Sequence, residues 1–504
     1  MLLDPQIYEQ VRQRRDPHFD GKIFIAVLTT GIYCRPICPV RVPLQKNIQI
    51  YNSAAAAAEA GFRPCLRCRP ESAPGTTANP GADAIVNKAL ALIGKGAPGD
   101  TNMAELARFC QISSRQLHRL FQRHVGASPT SIAHTRRLHF AKKLIDETSL
   151  DMSDICYAAG FNSVRRFNSV IKNTWQRSPM QLRKAARQSG SKDSSADDCL
   201  GLSLSYRPPF DWRAMLEFLA YRAIPGVESV NPASGEYART VAMADVTGVI
   251  RVCFHPHEHH LRLEFNTELA PHLFSIVQGV RQMFDLDACS DEIEQHLSHD
   301  EQLKLITSRY PGIRVPGAWE GFEVAVRAIL GQQVSVRAAT TLVSRLVQRL
   351  GKPLSQTLHE PAASSLALLF PTPAVLASAN MNGLGITGTR VAAIQSLARH
   401  LHDGDIRLDG SMPDPEVKQR LCRITGIGAW TADYIALRAL HDPDALPAAD
   451  LILLRSAGGG EPLSPAQLQA RASTWRPWRA YAVLSLWHDY SKMLSHERDK
   501  QEPV

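Results

Sequence analysis

Cys34-Arg35-Pro36-Ile37-Cys38 and, after a gap of 26 residues, Cys65-Leu66-Arg67-Cys68 set two tight cysteine pairs on separate stretches of a 504-residue chain. Two such pairs supply four thiolates to one tetrahedral Zn²⁺, so Cys34, Cys38, Cys65 and Cys68 are the expected ligands of a small metal-centred domain. Arg35, Arg41, Lys46, Arg63, Arg67 and Arg69 crowd the same stretch. A thiolate site inside an arginine cluster is expected to face phosphate, with Arg35, Arg63 and Arg67 as contacts. On spacing alone, a purely structural zinc staple is the favoured reading. Disulfides fit less well. The N-terminus has no signal-peptide apolar core, no apolar run is long enough to span a membrane, and Cys110, Cys156, Cys199, Cys253, Cys289 and Cys422 are scattered without pairing. A cytoplasmic protein with no membrane partner is expected.

Charge divides the chain. Residues 1–190 hold 27 Lys and Arg against 13 Asp and Glu, a net of +14, while the remainder holds 30 against 35, a net of −5. The first part has the electrostatic footprint of a double-stranded DNA binder. Two polar, small-residue stretches, Ser72–Gly81 and Gln188–Asp198, read as linkers. The expected domains are 1–72, 82–187, 200–300 and 301–495, with a linker at 188–199. In 200–290, alternation such as Ile250–Phe254 and Leu261–Phe265 predicts strands; after Pro316 the pattern is helical.

Residues 82–187 contain a repeat of about 50 residues, in which Ser113, Leu117 and Pro129 return as Ser163, Phe167 and Pro179. Each copy has a small-residue helix (Met103–Phe109, Met152–Ala159), a tight turn, a basic helix (Ser113–Arg123, Ser163–Asn173) and a closing Ser-Pro that starts the next helix. This is the layout of two helix-turn-helix units addressing successive major grooves. Arg115, Gln116, His118 and Arg119 of the first, and Asn162, Arg165, Arg166 and Asn168 of the second, are the candidate DNA contacts. A solvated helix face accounts equally well for any one of them, but not for the whole repeat.

Near the C-terminus, Arg423-Ile-Thr-Gly-Ile-Gly-Ala-Trp-Thr-Ala-Asp-Tyr434 predicts a hairpin between two helices, with Gly426 and Gly428 letting backbone approach DNA and the next helix offering free N–H groups to phosphate. Sixteen residues beyond Tyr434, Asp450 stands alone in an apolar stretch. It reads either as a helix N-cap or as a catalytic carboxylate stabilising positive charge on a sugar whose N-glycosidic bond is breaking.

Three family resemblances rest on these residues. Thr29-Thr-Gly-Ile-Tyr-Cys-Arg-Pro36, Asn47 and Gly61-Phe-Arg-Pro-Cys-Leu-Arg-Cys68 resemble the zinc domain of Ada adaptive-response regulators over about residues 4–72. The resemblance reverses the staple reading: it implies that Cys34 accepts a methyl group from a DNA methylphosphotriester, lowering the site's negative charge and raising DNA affinity. The repeat, with Ala159-Gly-Phe161 at its second turn, resembles the AraC-type regulators, which implies an activator working with RNA polymerase, associated with the nucleoid. No Pro-Cys-His-Arg sequence occurs, so alkylguanine transfer is not expected. Residues 202–492, including Tyr206-Arg-Pro-Pro-Phe-Asp-Trp212, Ala328-Ile-Leu-Gly-Gln-Gln-Val-Ser335 and Trp475-Arg-Pro-Trp-Arg-Ala-Tyr481, resemble the AlkA-type 3-methyladenine DNA glycosylases II.

That last resemblance places Asp450 as the catalytic aspartate and Trp430, Tyr434 and Trp487 around a flipped cationic base. It puts Gln333 where a wedge fills the vacated stack and implies a monovalent cation at the hairpin. Where lyases of the superfamily carry lysine, this chain has Trp430, so Schiff-base chemistry is not expected. The fold implied is multidomain α+β: a small zinc-binding α/β domain, an all-α double helix-turn-helix, a TBP-like α+β subdomain and helix-hairpin-helix helical domains. The competing expectation is a DNA-binding regulator whose glycosylase-like domain is catalytically inactive.

Overall fold

The computed structural model describes residues 5–75, 84–95, 103–188, 199–354, 365–459 and 461–499. They fall into two compact units, one of residues up to 208 together with 242–281, the other of 209–241 together with 282 onward. The stretch expected to link residues 188–199 lies, but for its two ends, outside the described residues. So does the expected Ser72–Gly81 linker from residue 76 on.

The first unit opens with a four-stranded sheet in the order Ile48–Tyr51, Phe24–Val27, Ile32–Cys34, Arg63–Pro64. The first three pair antiparallel, whereas Arg63–Pro64 runs parallel to Ile32–Cys34, in a register that sets Tyr33 beside Pro64. The parallel pairing brings the cysteine pairs together, since Cys34 ends one strand and Cys65 directly follows its neighbour, its N–H bonded to the Tyr33 carbonyl at 3.0 Å. Ser53 caps the alanine helix Ala54–Glu59, which covers Phe24, Ala26 and Tyr33.

The repeat folds as its sequence predicts. Ser113 and Ser163 cap the basic helices Ser114–His124 and Val164–Trp175, accepting from the backbones of Gln116 and Arg166. Leu117 and Phe121, and in the second copy Phe167 and Ile171, sit one turn apart and fully buried, leaving the charged faces outside. Pro129 and Pro179 open the helices Pro129–Glu147 and Pro179–Gln188. The strand Cys199–Ser205 then pairs antiparallel with His260–Asn266, which pairs with Val246–His255. Both stretches of alternation form strands, in the register Ile250 opposite Phe265 and Phe254 opposite Leu261.

The second unit is mainly helical, around a core that includes Val326, Ile329, Leu346, Ile394, Leu437 and Val483. One acid–base cluster is sealed inside it. Glu323 accepts from Arg239 at 2.8 Å and Arg327 at 2.6 Å, and Arg327 also reaches Glu228 at 2.5 Å. Burial pushes the Glu323 carboxyl up, but the two guanidiniums outweigh it and hold it down at about 2. A surface clamp fixes the loop leading to Asp450: Arg479 grips the Asp444 carboxylate at 2.6 and 2.9 Å, and the Ala480 N–H bonds the Pro443 carbonyl at 2.9 Å.

Candidate metal centre and candidate active site

In the first unit the sulfurs of Cys34, Cys38, Cys65 and Cys68 lie within 4.8 Å of one another, and all four residues are buried. Backbone amides point at three of them. The Arg67 N–H donates to Cys65 Sγ at 3.4 Å, the Arg35 N–H to Cys68 Sγ at 3.3 Å, and Val40 supplies a backbone hydrogen bond to Cys38. These donors suit a cluster of thiolates neutralised by a dication, so the donor set fits Zn²⁺. Cys34 Sγ receives no backbone N–H among the described residues, which leaves its electron density the least withdrawn of the four.

Arg63 and Arg67 are exposed, as a phosphate contact requires. Arg35 is not. Its guanidinium turns inward onto the Asp20 carboxylate, with Nε at 2.8 Å from Oδ1 and Nη2 on Oδ2, while Nη1 donates to the Cys68 carbonyl at 3.2 Å. The expectation that Arg35 contacts phosphate is corrected: the head is spent on bracing the ligand loop. In the repeat, Arg115, Gln116 and Arg119, and Asn162, Arg165 and Arg166, all lie on exposed faces.

In the second unit, Trp430 and Tyr434 stand one turn apart on the helix Ala429–Ile435 and stack at 5.5 Å, with Trp487 at 6.3 Å from Tyr434. Asp450 is half-buried at the start of the helix Leu451–Ala457. The cap and carboxylate readings prove compatible. Oδ1 accepts from the Leu453 N–H at 2.9 Å and from the Trp487 indole at 3.1 Å; Oδ2 accepts from the Trp430 indole at 3.1 Å. A carboxylate takes about four such bonds, so acceptor capacity remains.

Sequence reasoning missed the residues behind Tyr434. Arg438, one turn on, donates to its hydroxyl at 3.0 Å, and Arg222, packed 3.7 Å over the Phe218 ring, bonds the same hydroxyl. Burial raises the phenol's titration point, but the two arginines outweigh it and lower it from the ordinary value. The i, i+4 spacing could have flagged Arg438; nothing local flags Arg222.

The hairpin is bound to the loop that carries Gln333. Gln332 Nε2 donates to the Gly426 carbonyl at 2.8 Å and to Thr431 Oγ1 at 2.9 Å, and Arg390 holds the Gln332 carbonyl. Its neighbour Gln333 is exposed, with φ at +52°. Gly426 needs to be glycine: its φ is +94°, and a Cβ would stand 3.1 Å from Ala393 Cβ. Gly428 caps the next helix at φ −93°, and a Cβ there would meet nothing within 4 Å, which leaves the backbone approachable.

Three family models match this chain: the metal binding domain of Ada over residues 7–71, a helix-turn-helix domain over 106–185, and the AlkA N-terminal domain over 201–320. A Mycobacterium tuberculosis protein named as a probable bifunctional transcriptional activator/DNA repair enzyme AlkA is 36% identical over 94% of each chain. The chain belongs to this bifunctional Ada–AlkA family. The DNA-3-methyladenine glycosylase 2 of Escherichia coli is 33% identical over 57% of this chain and 96% of its own. The bifunctional transcriptional activator/DNA repair enzyme Ada of the same organism is 40% identical over 25% of this chain and 34% of its own. A regulator and a repair enzyme are thus joined in one polypeptide, with an Ada-type zinc domain, a helix-turn-helix domain that binds DNA, and a glycosylase region. The reading as a regulator with an inactive repair domain is not favoured. No helix among the described residues is long and apolar enough to cross a membrane.

Proposed function

We propose that this protein takes a methyl group from DNA methylphosphotriesters onto Cys34, activates transcription through its two helix-turn-helix units, and hydrolyses the glycosidic bond of alkylated purines with Asp450. The domain limits proposed are 1–72, 82–187, 200–300 and 301–495. Bound at the four sulfurs, Zn²⁺ keeps them deprotonated at neutral pH. Cys34 Sγ then attacks the methyl carbon. The new S–C bond forms as the C–O bond breaks, and the electron pair leaves with the phosphate oxygen as an ordinary diester anion. Arg63 and Arg67 are placed to meet the backbone, and the site sheds one negative charge on methylation. The basic helices then carry the operator contacts through Arg115, Gln116, Arg119, Asn162, Arg165 and Arg166, with RNA polymerase as partner, in the cytoplasm at the nucleoid.

For base excision, a cationic alkylated purine flipped from the duplex stacks among Trp430, Tyr434 and Trp487. The C1′–N bond breaks with its electrons returning to the base, so the leaving group needs no strong acid. The Asp450 carboxylate stabilises the positive sugar and orients the water that completes hydrolysis, giving an intact abasic site because Trp430 supplies no amine. Gln333 fills the vacated stack, with Gly426 and Gly428 at the phosphate, and the hairpin would hold a monovalent cation. The observation that carries this reading is Asp450 suspended between two indole N–H groups of the base pocket. Release of free 3-methyladenine from methylated duplex DNA by wild type but not by Asp450→Asn is the expected result. No release by either would return the last 300 or so residues to a purely DNA-binding role.

A further inference from the structure

Arg207 belongs by sequence to the repair half, inside the span that matches the AlkA N-terminal domain. Its side chain is spent elsewhere. It is 1% exposed, with Nε donating to the Asp20 carbonyl at 2.8 Å and Nη2 to the Gly75 carbonyl at 2.6 Å. Asp20 is the residue whose carboxylate grips Arg35, and Arg35 in turn places its N–H on Cys68 Sγ and its guanidinium on the Cys68 carbonyl. The surroundings are shaped to the arginine. Gly21 has φ +76°, and a Cβ there would stand 2.9 Å from Arg207 Nη2 and 2.3 Å from the Pro74 carbonyl oxygen. The strand leading to it is anchored independently, for the Ser203 N–H donates to Glu147 Oε2 at 2.8 Å. Burying a guanidinium is costly unless its donors are matched, and here they are matched by the backbone around the metal domain.

We propose that Arg207 is a positioning residue of the four-cysteine methyl-acceptor site, so that this site is completed by a residue from the repair half. Arg207 fixes Asp20, Asp20 fixes Arg35, and Arg35 sets the amide that faces Cys68 Sγ. This deepens the methyl-acceptor reading and rests on it. In this chain the zinc domain is therefore not self-sufficient, and fusion to the repair half is part of how the sensor works.

The test uses the full chain with Arg207→Lys, Arg207→Gln, Asp20→Asn and the double variant Arg207→Lys/Asp20→Asn. Lysine keeps the charge but lacks the planar fork that serves two carbonyls at once. Three quantities are read: the rate of Cys34 methylation by DNA carrying methylphosphotriesters, by peptide mass spectrometry; the rate of zinc release to a chelator, with the thiolate absorption of the Co²⁺-loaded form as a second probe; and release of 3-methyladenine. Each Arg207 variant is expected to slow methylation and to speed zinc release by about tenfold, as loss of a buried charged hydrogen bond does, with a changed Co²⁺ spectrum and unaltered base release. The double variant is expected to be little worse than Asp20→Asn, because the two residues act in series. Unchanged methylation and zinc release in Arg207→Lys would overturn the inference, even if Arg207→Gln does not fold. Wild type that never methylates Cys34 would instead refute the methyl-acceptor reading, and zinc release would still decide the place of Arg207.

Discussion

The four-cysteine site and the Asp450 site each hold anionic groups with N–H donors, but they distribute those donors in opposite ways. At the metal site, backbone amides serve Cys38, Cys65 and Cys68 and pass over Cys34. At Asp450, both oxygens are served, by one amide and two indoles. A nucleophile that is used once is best left with its charge undamped, whereas a carboxylate that must survive every turnover is best held still. On the proposed roles, donor placement thus separates a group to be consumed from a group to be reused.

The sharpest attack on that contrast is Cys34→Ser. Methyl uptake in peptide mass spectrometry is expected to vanish, while release of 3-methyladenine stays at the wild-type rate; loss of both would end the picture of two separable chemistries. Asp450→Asn is expected to lower base release by about 100-fold or more, in line with removal of a preorganised electrostatic group, with methylation of Cys34 intact.

Acid should also tell the units apart. Burial holds His139 of the first unit down at about 4, so the unfolded chain binds that proton first and stability falls as pH drops from 6.5 towards 4. Protonation of the thiolates works in the same direction. In the second unit Glu323 titrates at about 2 against an ordinary 4.5. Its stabilisation is complete above 4.5 and lost as pH falls through 2, about 3 kcal/mol in all. Circular dichroism and tryptophan fluorescence during acidification should therefore show the first unit failing at higher pH, and Glu323→Gln should shift only the second transition. Simultaneous loss would break this part of the contrast.

Trp487→Phe keeps a stacking ring but removes one indole bond to Asp450. Base release is expected to fall about tenfold, the worth of one charge-assisted hydrogen bond, with little change in substrate affinity. The smallest effect is expected from Arg119→Ala, which should weaken operator binding several-fold and lower the slope of log affinity against log salt by about one.

Much of this was readable in the chain because the chemistry is locally written. Paired cysteines with ligand spacing, a repeated Ser-x₃-apolar helix start, and a hairpin of Gly-Ile-Gly followed by Trp and Tyr each carry their meaning within a dozen residues or so. What escaped depends on partners that fold together from afar. Arg35 beside a metal ligand reads the same whether it faces phosphate or a buried carboxylate, and Asp20, 15 residues upstream, decides the matter. Arg222 and Gln332 reach Tyr434 and the hairpin across roughly 200 and 100 residues, with no periodicity to announce them. Asp450 stands alone in an apolar stretch, yet it is half-buried at the N-cap of the helix Leu451–Ala457.

Trp430 and Trp487 each donate an indole N–H to Asp450, and in the proposed function the same two rings also give the base its stacking surface. Pocket width and carboxylate orientation are therefore one heritable variable. A lineage drifting towards a bulkier lesion by trimming either indole would misdirect its own carboxylate in the same step.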